Sequence, residues 1–270
     1  MNFSLYKQMM KVNLKGMLNY AFGSAFYILL MFWLYPSIAG NTDAINDMIK
    51  AMPEGVGNAF GLQGGFSTAD SFISGEYYEL ILVFILSIFC VAVSTHLMAK
   101  LVDQGSMAYL LSTPTTRGKI AFTQASVLVT GLFTIMAVTT AAGFIGNAWF
   151  LEGKVALNEA KFLEINLMAF LLFFAVSGIS FLVSAALNDE KQAVGLSGAL
   201  TFGFFTLNLL GKISDKIEWM RNISIFSLYR PGEIVSANAN WGWPAILLTL
   251  IGLATFAIGI QLFRKRDLPL

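Results

Sequence analysis

The chain has 270 residues, of which 56% are hydrophobic and only 12% charged, about half the charged share of an ordinary soluble domain. A water-soluble fold has no interior large enough to hide that much apolar surface. The net charge of +1 and the absence of a block of like charge give no basis for a nucleic-acid partner.

A helix needs about 20 mostly apolar residues to cross a hydrocarbon core. Runs of that kind recur at about 18–39, 80–99, 120–149, 165–187, 192–211 and 243–263, predicting one domain over 1–270 built as an all-α, six-transmembrane-helix bundle. Ahead of the first run, Ser4, Lys7, Gln8, Lys11 and Lys15 share one arc of a helical wheel, while Leu5, Tyr6, Met9, Met10, Leu14 and Met17 lie elsewhere. That pattern predicts an amphipathic interfacial helix over 1–17. No small-residue cleavage site of the usual kind follows, so the first span is expected to be retained. The segment 40–78 has Gly55, Gly57, Gly61, Gly64 and Gly65 after Pro53 and reads as irregular chain. In the second span, Cys90 is the lone cysteine and packs as a small hydrophobe, and His96 is the lone histidine, without neighbours that would make a metal site.

Between the second and third spans, Gln104 to Ser112 has the composition of a short helix with Met107, Leu110 and Leu111 on one side, stopped at Thr113-Pro114. A short amphipathic helix projecting from a membrane bundle is a docking element for a partner. Further along, Ala142 and Gly146, Ser180 and Ser184, and Gly195, Ala199 and Gly203 stand at helix-packing spacing, which serves either packing inside the bundle or a dimer seam. The segment SIFSLYRPGEIV, between the fifth and sixth spans, is too apolar for a solvated loop and too short to cross. It predicts short re-entrant helices that stop at Arg230 and Pro231.

Orientation follows from Lys and Arg. One side carries Lys7, Lys11, Lys15, Lys100, Arg117, Lys119, Lys191, Arg264, Lys265 and Arg266, ten in all, against seven on the other: Lys50, Lys154, Lys161, Lys212, Lys216, Arg221 and Arg230. The richer side is placed in the cytoplasm, with both termini.

Some chemistry is missing from the sequence. Gly118-Lys119, Gly153-Lys154 and Gly211-Lys212 all lack the rest of a phosphate-binding loop, and no nucleophile, base or metal constellation of a hydrolase is visible. The six predicted cores hold no charged residue, whereas ion-coupled carriers need one near mid-membrane. Energy is therefore expected from outside the bundle. The polar residues inside the spans are uncharged. Gln124, Thr130, Asn147, Thr201 and Asn208 are the candidates for a substrate path, with interhelical hydrogen bonding as their other reading.

Asp103, Gly105, Ser106, Leu110, Leu111, Pro114 and Arg117 together resemble the loop of ABC-2 type permeases: an acid, Gly, Ser or Thr, then Leu-Leu-x-x-Pro and a basic residue. Weaker likeness extends to FSTADSFISGEYYEL, SLYRPGEI and FRKRDL, so it covers nearly the whole chain. The resemblance implies a transport subunit in a bacterial cytoplasmic membrane, which pairs with a second permease chain and docks two ATPase subunits. ATP and Mg would bind those subunits, not this chain. Asp103, Gln104, Gly105, Ser106, Met107, Leu110 and Leu111 would form the coupling helix, and an apolar Met- and Phe-rich bundle suits amphipathic or lipid-like cargo. A membrane-embedded sensor or assembly factor that docks a partner without transport is the alternative.

Overall fold

The computed structural model describes residues 1–41, 46–47, 51, 55, 57, 68–151, 157–236 and 240–267. The described residues form an all-helical bundle in which six helices are long and apolar enough to cross a membrane. Five are single helices: α1 (Phe3–Ala39), α6 (Arg117–Phe150), α7 (Glu159–Ala186), α8 (Glu190–Gly211) and the last one, Gly242–Lys265. The second crossing is a column of α2 (Ala69–Ile73), a π-helical stretch (Ser74–Ile81) and α3 (Leu82–Leu97). Short helices α4 (Ala99–Asp103) and α5 (Ser106–Leu111) lead from it to α6. After α8 come two 3-10 turns, Asp215–Ile217 and Ile225–Leu228, and two short helices, α9 (Trp219–Ile223) and α10 (Pro231–Val235). The sixth crossing is α11 (Gly242–Lys265).

The two most extensive helix pairs are α7 with α11 and α1 with α6. Both depend on glycine, because without a side chain the partner's bulk reaches the backbone. In the first pair Gly178 lies against Thr255 and Gly252, Gly252 against Phe174, and Gly259 against Phe181. In the second, Gly146 receives Phe32 and Gly131 receives Met17. Lipid gives no hydrophobic drive for helices to associate, so such close approach and buried hydrogen bonds hold the bundle. One bond network joins three helices: Ser24 Oγ lies 2.6 Å from the Tyr77 hydroxyl and 2.6 Å from Thr139 Oγ1, all fully buried.

Three sequence expectations are corrected. First, the interfacial helix over 1–17 is not separate. It continues into the first span as one helix, α1, because nothing in the stretch breaks it and α6 holds its start. The Asn2 amide donates to Thr123 Oγ1 (2.9 Å), and the Tyr6 hydroxyl donates to Thr130 Oγ1 (2.9 Å). The polar arc is real, with Lys7, Lys11 and Lys15 exposed. Second, the second crossing begins near Ala69 instead of residue 80, capped by Thr68, whose side chain accepts the Ser71 amide. Asp70, Glu76 and Glu79 suggested a loop, yet all three are helical, and Glu79 pairs with Lys212 at 2.7 Å. Third, Pro231 starts α10 instead of ending a helix, because a helix's first turn needs no donor from proline. Pro53, Gly61, Gly64 and Gly65 of the expected irregular segment lie outside the described residues.

All five tryptophans, Trp33, Trp149, Trp219, Trp241 and Trp243, lie at one end of the bundle, away from the termini. Four of them are more than half exposed. Tryptophan favours the membrane–water interface, so this end carries an aromatic belt.

Candidate functional site

The segment from Ala99 to Arg117 sits at the termini end, and hydrogen bonds tie it down on every side. At its start the Ala99 amide donates to Ser184 Oγ (3.0 Å), whose own hydroxyl donates to the Ser94 carbonyl (3.0 Å). At its end the Thr116 side chain caps α6 by accepting the Lys119 amide. Between these anchors α4 stops at Asp103, and Gly105 turns the chain with φ of +69°, the left-handed region that a residue with Cβ enters only at a cost.

The short helix expected over Gln104–Ser112 therefore runs only from Ser106 to Leu111. Asp103 and Gln104 precede it. Met107 was expected on the presented face but is fully buried, because the turn at Gly105 directs it into the bundle. Leu110 and Leu111 are half-buried, Ser106 likewise, and Gln104 and Gly105 are exposed. The large apolar side chain that α5 does present is Tyr109, 80% exposed, which the sequence pattern passed over. The Thr113 hydroxyl closes the helix by donating to the Leu110 carbonyl (2.6 Å).

Beside this loop lies the connector between α7 and α8. Asp103 Oδ2 accepts the backbone amide of Glu190 (3.2 Å), and Lys100 Nζ stands 3.2 Å from Glu190 Oε1 and 2.5 Å from His96 Nε2. Asp189 caps α8 by accepting the Gln192 amide at 2.7 Å. From the other side Arg266 donates to the carbonyls of Ala185 (2.8 Å) and Leu187 (3.2 Å) and to the Asn188 side chain. Arg117 in turn donates to the Arg266 carbonyl at 2.5 Å. Burial lowers the Arg266 pKa, although a guanidinium starts so high that it stays charged at neutral pH. The sequence reading passed over Glu190 and counted Arg266 only among the basic residues of this side. Asp189 followed three residues later by Gln192 is a capping signature that marks where α8 begins, but nothing in the sequence names Asp103 as a second partner for that turn.

The five path candidates are not brought together. Gln124 is fully buried and neither amide atom has a protein partner, while Thr130 donates to the Ser126 carbonyl and accepts from Tyr6, a packing role. Asn147 is half-buried near the far end of α6. Thr201 and Asn208 are buried on α8, which has no extensive contact with α6. Asn208 lines a small cleft at the tryptophan end with Glu79, Lys212, Phe226 and Tyr229, and its Oδ1 has no partner. No His, Cys, Asp and Glu cluster fit for a metal exists among the described residues.

A membrane bundle with a braced, projecting loop fits a transport subunit, and comparison with known families decides which. The family model of the multidrug efflux system permease Rv1217c, C-terminal domain, matches residues 13–264. The chain belongs to this family. It is a multi-pass membrane permease, in agreement with the loop's likeness to ABC-2 type permeases. No curated protein matches this permease.

Proposed function

We propose that this permease is the membrane subunit of an ATP-driven ABC-2 type exporter, forming the translocation path while separate ATPase subunits dock on the loop at Gly105–Leu111. The observation that carries this reading is the braced loop itself, which exposes Gly105 and Tyr109 at the basic end of the bundle. ATP and Mg bind the ATPase chains. The end bearing the termini faces the bacterial cytoplasm, in keeping with its ten basic residues, and the short helices beyond α8 dip into the outer leaflet. Amphipathic or lipid-like cargo suits the family's multidrug name and the uncharged cores.

The permease works as a pair, with itself or a sister chain, through α8. Gly195, Gly198 and Gly203 have open space where a Cβ would stand, and Ala199 beside them is exposed, so this small-residue stripe packs against none of the described residues. Gly146, Ser180 and Ser184, by contrast, are used inside the bundle. Gly195→Leu with Gly203→Leu is expected to shift the permease from dimer to monomer in cross-linking, with thermal stability changed by no more than about 0.5 kcal/mol. Loss of folding in these variants would place the stripe inside the bundle instead.

The exporter reading is tested by purifying the permease with the ATPase that accompanies it and reconstituting both in vesicles. Hydrolysis that rises with an amphipathic dye such as ethidium, and ATP-dependent dye accumulation, are expected. A stable complex whose hydrolysis ignores every cargo tried, with no transport, favours the sensor or assembly factor.

A further inference from the structure

We infer that Asp103 and Lys100 are positioning residues that fasten the docking loop to the first turn of α8, so that displacement of the loop is passed to the fifth crossing. The inference rests on the exporter reading and adds a route to it.

The attachment has two points on one residue. Asp103 holds the backbone amide of Glu190 and Lys100 holds its carboxylate, both at 3.2 Å. A bond to the amide fixes where the helix axis begins, and a bond to the side chain resists rotation about that axis. The Asp103 carboxylate also faces the positive end of the α8 dipole, a charge-assisted contact. Lys100 is in turn steadied by His96, one turn earlier in the same column.

What α8 lacks elsewhere makes this attachment matter. Within the chain only 22% of its most apolar stretch is buried, against 67% for α7. A helix lightly buried along its length within the chain and anchored at its far end, where Lys212 pairs with Glu79 and the Ser224 hydroxyl donates to the Phe204 carbonyl, pivots with the turn that is tied to the loop. The neighbouring end of α7 stays behind, because Arg266 binds the Ala185 and Leu187 carbonyls and joins them to the C-terminal end of α11. The connector 187–189 lies between a fixed helix and a tied one, and both Leu187 and Asp189 are in extended backbone, with α8 beginning directly after. Push on the loop, and the freedom available is that of α8 relative to α7.

This assignment separates Asp103 from docking. Its carboxylate is used within the chain, so its loss uncouples the motor without releasing it. The test uses Asp103→Ala combined with Lys100→Met in the full-length permease. In nanodiscs without the ATPase, hydrogen exchange of the amides at 190–194 is expected to rise about tenfold, whereas the α7 amides stay protected. With the ATPase bound, affinity is expected to be unchanged and ethidium-stimulated hydrolysis to fall about fivefold or more. Asp103→Asn keeps the acceptor oxygen and Lys100→Arg keeps the charge, so both restore stimulation. The exchange of charges in Lys100→Glu with Glu190→Lys recovers more than either single change. Unchanged exchange at 190–194 overturns the attachment. Lost ATPase affinity also overturns it, since that places Asp103 and Lys100 on the docking surface while leaving the exporter reading intact. If wild-type permease binds no ATPase, the exporter reading fails instead, and the exchange measurement still decides whether the tie exists.

Discussion

Gly105→Trp is expected to abolish ATPase association while the bundle folds and survives detergent as the wild type does. Among the described residues nothing lies within 4 Å of the position a Cβ would take at Gly105, so the new side chain starts into open space on the face proposed for the partner. The backbone sets a second condition, because φ is +69° there. A bulky L-residue in that region costs about 1–2 kcal/mol, enough to tilt a six-residue helix but small for a six-span bundle. Gly105→Asn separates the two effects. Asparagine tolerates the left-handed region and adds little bulk, so it retains binding if the obstruction is steric. Tyr109→Ala removes the large exposed side chain of α5 and is expected to weaken association by about tenfold or more, as loss of an aromatic anchor does. Normal ATPase affinity in both Gly105→Trp and Tyr109→Ala would mean that this loop is not the docking element.

Gly178→Leu is expected to destabilise the bundle by about 3 kcal/mol or more. An added Cβ there would stand 2.3 Å from Thr255 Oγ1 and 3.0 Å from the Gly252 carbonyl oxygen, distances at which something must move. The threonine can rotate, but the backbone oxygen cannot. Leucine's remaining atoms would drive α7 from α11, the most extensive helix pair in the molecule. Overpacking a well-packed core costs about 1–3 kcal/mol, occasionally more, and a forced helix separation belongs at or above the upper end. The measurement is the yield of monodisperse protein together with the midpoint of thermal unfolding in detergent. A Gly178→Leu protein as stable as Gly195→Leu would mean that α7 and α11 do not approach as described, since Gly195 has nothing within 4 Å.

The contrast between these two glycines shows how far the sequence could be read. The six crossings were legible because lipid imposes a long apolar run on each, and α8 at Glu190–Gly211 begins and ends within two residues of the expected 192–211. The start of the second crossing was not legible. Asp70, Glu76 and Glu79 are charged, and only the fold reveals that Lys212, more than a hundred residues away, stands ready to pair with Glu79. The Gly-Ser and Leu-Leu-x-x-Pro spacing marked a short helix between the second and third crossings, but the direction of each side chain depended on a single left-handed residue. Shifting the helix start from Gln104 to Ser106 sent Met107 inward, left Tyr109 as the large apolar side chain facing out, and assigned Asp103 to another helix altogether. Small-residue stripes look alike in sequence. Whether one packs inside or faces out is decided by what stands opposite, such as Phe32 for Gly146 and open space for Gly203.

The tryptophan belt fixes the depth at which the molecule floats. Indole rings resist displacement from the interface in either direction, so the end bearing all five acts as a waterline from which the rest of the molecule is measured. From Trp33 back to Phe3, α1 runs for about 45 Å at 1.5 Å per residue, while the hydrocarbon layer is only about 30 Å thick. The surplus of about 15 Å is roughly ten residues, which the helix takes up by tilting or by emerging at the opposite surface. At that end Lys7 and Lys11 are exposed, and the helix is lashed to α6 through Asn2 and Tyr6.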